Sequence, residues 1–113
     1  MKTLLIIVAS DPRASRRPAE AVRIAAGVGV WKKVSIALYL RGAAALALNE
    51  STDDLQDEEN FIRYLPMIGE SGNAIYVQSG APIPARTSNL SIQEINDIQL
   101  ARLAAGSHYV MRF

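Results

Sequence analysis

The side chains with the widest chemical reach fall at three places where an apolar run gives way to a polar turn: Ser10-Asp11-Pro12-Arg13, Arg41-Gly42 and Gln78-Ser79-Gly80. Arg86 follows in the longest irregular stretch, Ser79 to Ser91, which also carries Pro82 and Pro84. Cations, hydroxyls and backbone amides freed at turns suit a small anionic or carbonyl-bearing molecule. Ser10, Asp11, Arg13, Arg41, Gly42, Gln78, Ser79 and Arg86 are therefore the candidate ligand-binding residues. Turns of this kind are exposed in every sheet of the class, so the same residues also suit strand capping and pairing across a subunit contact, and both readings stay open.

More specialised chemistry lacks its residues. With no cysteine there is no disulfide, thiolate metal site, iron–sulfur cluster or thiol nucleophile. One histidine is too few for a zinc site, and His108 lies in the last strand with no orienting carboxylate near it in sequence for a serine–histidine–acid triad. No glycine occurs between Ser10 and Pro18 to make a phosphate or dinucleotide loop. Pro12 and Arg13 are poor substitutes for the Ser/Thr/Gly-rich turn of a flavin-phosphate site. A phosphoacceptor aspartate is missing after the third strand, where Val77-Gln78-Ser79 stands. The carboxylates Glu50, Asp53, Asp54, Asp57, Glu58 and Glu59 lack calcium-loop spacing and instead complement the dipole of the helix that follows. No catalytic residue, metal or cofactor is assigned. A thiol-independent enzyme using Asp11, Arg41, Ser79 or Arg86 on a small anion is the alternative to a binding protein.

The elements that must position these turns are read from patterning. Thr3-Leu4-Leu5-Ile6-Ile7-Val8-Ala9 shows no polar alternation, so it reads as a strand covered on both faces, as parallel sheets flanked by helices require. A helix begins at Ser15 or Arg16, with Pro18 in its first turn, and runs to about Val28. Its small residues cover more than one sheet contact needs, which predicts a second packed surface. Trp31 reads as a packing anchor. Val34 to Leu40 is the second strand, Ala43 to Leu48 a short helix, and Phe61, Ile62 and Leu65 lie on a helix that Pro66 is expected to end or kink. Ala74-Ile75-Tyr76-Val77 is the third strand. Ser91-Ile92-Gln93-Glu94 reads as a capping box opening a helix to about Ala105, with Gly106 as its C-cap. Ser107 to Phe113 alternates as a half-exposed strand at an edge or interface. The expected fold class is α/β: a single domain over residues 1–113, a three-layer sandwich around a mostly parallel, flavodoxin-like sheet of about five strands.

At 113 residues the chain can bury roughly two thirds of its unfolded surface. A net charge of +1 does not call for nucleic acid or an acidic membrane as partner. The charge is uneven, though: up to Arg41 eight basic residues face Asp11 and Glu20, whereas Gly42 to Asp97 holds Arg63 and Arg86 against nine acids. This fits two solvated faces or complementary patches between identical subunits. The apolar run after Lys2 is too short and too soon interrupted by Asp11 and Arg13 for a secretory signal, and no stretch approaches the roughly 20 residues of a membrane span, so a cytoplasmic location is expected. Surplus apolar surface on the first helix, with Tyr109, Met111 and Phe113, predicts self-association.

Leu4-Leu5-Ile6-Ile7-Val8-Ala9-Ser10-Asp11-Pro12, Ala19 to Gly27, Val34 to Leu40 closing on Gly42, and Leu103 to Phe113 are together similar to the DsrE/DsrF-like family, which includes the sulfur-relay proteins of the DsrEFH and TusBCD complexes. The likeness spans nearly the whole chain and lies mostly in apolar patterning. It implies a small parallel sheet with helices on both sides, assembly into trimers or hexamers, and relay-type partner proteins. Active relay members carry a persulfide-forming cysteine just after the third strand, where this chain has Gln78 or, one residue on, Ser79. Neither can replace a thiolate, so the resemblance implies a member without sulfurtransferase activity, or a structural subunit of a relay-like complex. Relatives often carry an acidic residue beside glycine where Arg41-Gly42-Ala43 stands.

Overall fold

A computed structural model describes residues 2–48, 54–70, 73–81 and 92–113. Strand β1 (Lys2–Val8) lies inside a five-stranded sheet, with β2 (Val34–Leu40) on one side and β5 (Tyr109–Arg112) on the other. The sheet is completed by β3 (Ala74–Gln78) and β4 (Ile92–Ile95), in the order β4-β3-β2-β1-β5, and every pairing is parallel. The unbroken apolar run of β1 follows from this position, because alternate residues enter different layers. Leu4, Ile6 and Val8 join Ile36, Leu38, Leu40 and Ile75 in one core, while Leu5 joins Ala37, Tyr39 and Ile95 in the other.

Helices α1 (Arg17–Gly29) and α2 (Glu58–Glu70) cover the first face and α3 (Asp97–Ala105) the second, as a single crossover hand requires when β1-α1-β2 and β2-α2-β3 step across the sheet one way and β4-α3-β5 the other. Ala19, Ala21, Val22, Ala25 and Ala26 of α1 are all buried, because α1 packs on the sheet and on α2 together. The second packed surface expected for α1 is thus filled within the chain and gives no support to self-association. Gly29 admits a close approach: a Cβ there would lie 2.7 Å from Asn73 Nδ2. Asn73 Oδ1 meanwhile accepts the Ile36 amide at 3.0 Å, just below the point where β3 begins to pair with β2.

Three expectations are corrected. Of the end or kink expected at Pro66, the end does not occur, because α2 continues to Glu70. Pro66 and Ile62, whose carbonyl loses its intrahelical donor, both lie on the exposed side, while Phe61, Leu65 and Ile68 hold the inner side. Ile92 to Ile95 is strand β4, not the first turn of a helix; the three-residue spacing of its isoleucines also fits a four-residue strand whose two ends point to opposite faces, and Ile92 and Ile95 join different cores. The capping box lies five residues later, where Asn96 Oδ1 accepts the Gln99 amide and Gln99 Oε1 the Asn96 amide, each at 2.8 Å. Trp31 is 72% exposed at the turn after α1 and anchors no core.

Candidate functional site

An all-parallel sheet sends the carboxyl ends of β1, β2 and β3 to one rim, so the three polar turns gather there. Within the rim they form two separately bonded groups. After β1, Asp11 Oδ1 accepts the Arg13 amide at 2.9 Å and Arg13 Nε at 3.1 Å, while Oδ2 accepts Nη2 at 2.9 Å. This fork, led by the side-chain bonds from Arg13, holds the Asp11 carboxyl below the usual aspartate range and raises Arg13 in return. The turn is fastened from α2's approach: Gln56 donates its amide to the Pro12 carbonyl at 2.8 Å and Nε2 to the Arg13 carbonyl at 3.2 Å. Ser10 is half-buried beside it.

The second group spans β2, β3 and the start of α3. Gly42 stands at φ +57, a left-handed conformation suited to glycine, and its amide donates to Gln78 Oε1 at 2.9 Å. The Arg41 amide donates back to the Val8 carbonyl at 2.8 Å, and its side chain reaches across to α3, where Nη1 lies 3.2 Å from Asp97 Oδ1. Ser79 is exposed, its amide bonded to the Ile95 carbonyl at 2.9 Å. Arg86 lies outside the described residues.

Sequence reasoning missed two members of this group. Tyr39 lies inside an apolar strand, yet it shares a face with Arg41 two residues on; its ring is fully buried against α3 and its hydroxyl has no hydrogen-bond partner among the described residues. Burial raises the Tyr39 phenol above the ordinary tyrosine range, with the neighbouring Arg41 charge opposing. Asp97 carries no local signal beyond its place in a helix.

Charge complementarity is met within the chain, through Arg41 with Asp97 and through Arg16 with Asp57 at 3.8 Å. His108 lies at the opposite rim, exposed, with its amide donating to the Thr3 carbonyl at 2.9 Å and its Nδ1 accepting the Thr3 amide at 3.0 Å. It clamps β5 to β1 far from the strand exits. A concavity of about 590 Å³ opens between the starts of α1 and α2, lined by Glu20, Arg23, Asp57, Glu58 and Glu59 among others. None of the candidate residues lines it, and its carboxylates disfavour an anion. Among the described residues no group of three or more His, Cys, Asp or Glu side chains could hold a metal ion, and no helix is long and apolar enough to cross a membrane.

No family model matches the chain, and no curated protein matches it in sequence. Among solved structures, the ychN protein from E. coli matches with a TM-score of 0.79 over 100% of both chains, at 15% sequence identity. The chain therefore has the α/β fold of the ychN protein, a DsrE/DsrF-like fold, and Gln78 closes its third strand.

Proposed function

We propose that this chain is a DsrE-like binding protein without thiol chemistry, which takes a small anionic ligand at the strand-end rim and works as a homo-oligomer in the cytoplasm. The observation that carries the reading is Arg41: a cation at the centre of the rim, with about 40% of its side chain exposed and, among the described residues, the exposed carboxylate of Asp97 as its ion-pair partner. Of the two positions where the resemblance would put a relay cysteine, Gln78 commits its side chain to the Gly42 amide and Ser79 carries only a hydroxyl. Self-association is supported by Tyr109, Val110 and Met111, large apolar residues exposed on edge strand β5.

A metabolite-library thermal-shift screen tests the ligand. A specific anionic hit lost in Arg41→Ala supports the reading, and silence across the library overturns it. Stable retention of labelled sulfur after incubation with a persulfide donor would restore relay chemistry and end the proposal. Light scattering at micromolar concentration tests assembly: trimers or hexamers are expected, and a monomer removes that part.

A further inference from the structure

The Tyr39 hydroxyl deepens the reading of the rim and rests on it. Tyr39 heads the fully buried side chains of the core, and its hydroxyl finds no hydrogen-bond partner among the described residues. Strand alternation sets Tyr39 and Arg41 on the face of β2 that α3 covers, and the ring packs in one cluster with Ile95, two residues before Asp97. The Arg41 guanidinium lies beside the hydroxyl, close enough for each to alter the other's ionisation though not in hydrogen-bond geometry, and Asp97 acts on both. Arg41 offers only donors, so the phenol proton has nothing to bond to. Asp97 brings one oxygen to Arg41 at 3.2 Å and leaves the hydroxyl unserved, while remaining 73% exposed itself.

We propose that Tyr39 and Arg41 form a carboxylate subsite at the end of β2, held in the free protein by Asp97 as an internal stand-in, and that a small organic carboxylate binds by displacing Asp97. One carboxylate oxygen then accepts from the half-exposed guanidinium and the other from the buried phenol, so that one planar ligand serves both donors. A tetrahedral phosphate would bring further charged oxygens against the apolar side of Tyr39 and Ile95, whose neighbours among the described residues are apolar side chains. Gln78 takes no part, because its carbonyl already serves Gly42.

The test is an NMR titration of the isotope-labelled protein with sodium succinate, and separately with sodium phosphate, at ionic strength fixed with sodium chloride. Succinate is expected to give saturable shifts at the Arg41, Gly42, Asp97 and Ile98 amides, and phosphate none there. Tyr39→Phe is expected to weaken succinate about three- to tenfold, the worth of one hydrogen bond. Arg41→Gln is expected to abolish binding, and Asp97→Asn, which removes the competing charge, to tighten it by about threefold or more. Saturable phosphate shifts without succinate shifts overturn the subsite but keep the anion-binding rim. Unchanged succinate affinity in both Tyr39→Phe and Asp97→Asn does the same. Failure of both salts to shift these amides overturns the subsite and counts against the rim. Should Tyr39→Phe misfold, Asp97→Asn decides alone, and succinate binding no tighter than in the parent overturns the proposal.

Discussion

The Gln78 side-chain carbonyl accepts the Gly42 amide at 2.9 Å and so ties the exit of β3 to the exit of β2. Gln78→Ala leaves a half-buried amide without a partner and is expected to cost about 1–2 kcal/mol in urea unfolding. Gln78→Glu keeps an acceptor oxygen and should unfold close to the parent protein. Equal midpoints for Ala and parent would show that the tie contributes nothing. Gln78→Cys removes the same bond and should show a loss like that of Gln78→Ala.

Pro66 interrupts the hydrogen-bond ladder of α2 on its wet side. Pro66→Ala restores the bond to Ile62 and should stabilise the protein by about 1–3 kcal/mol, the lower end reflecting the freedom that Pro removes from the unfolded chain. Denaturant midpoints check this, and a loss of stability would contradict the solvent-side account of the proline.

The Asp11 carboxyl titrates below its ordinary value because Arg13 forks onto it. In the acid range the unfolded chain therefore binds the proton more readily than the folded one, and stability falls as pH drops through the depressed value while being fully present above the ordinary aspartate range. Asp11→Asn should flatten the acid limb of a stability–pH curve and leave stability between pH 6 and 8 little changed in its pH slope. An unaltered acid limb would remove Asp11 from the account.

Gly29 and Asn73 act as one unit. Gly29→Ala drives a methyl group toward Asn73 Nδ2, and the side chain can yield only by releasing the Ile36 amide. Gly29→Ala and Asn73→Ala should each cost about 1 kcal/mol, with the double variant costing far less than their sum. Additive losses in a double-mutant cycle would show the two to be independent.

The residues declare β1, β2, β3 and α1 because each is a long apolar or small-residue run whose period admits one reading, and parallel pairing then brings Asp11, Arg41 and Gln78 to one rim. β4 is hidden because four residues with isoleucine at both ends satisfy the helical and the extended period alike. Tyr39 is hidden because a phenol inside an apolar strand reads as filling; only its two-residue offset from Arg41 signals a shared face. The pairing of Arg41 with Asp97 joins residues 56 positions apart, and nothing local announces it.

The first and last described strands are neighbours: β5 closes on β1 at Leu4↔Tyr109. On the ribosome β1 can pair with β2 early, but its outer edge stays open until Tyr109 to Arg112 emerge, and for that interval it presents an unguarded apolar ribbon. Nascent chains of this protein should accordingly depend on holding factors late in synthesis, when most of the sheet is already in place.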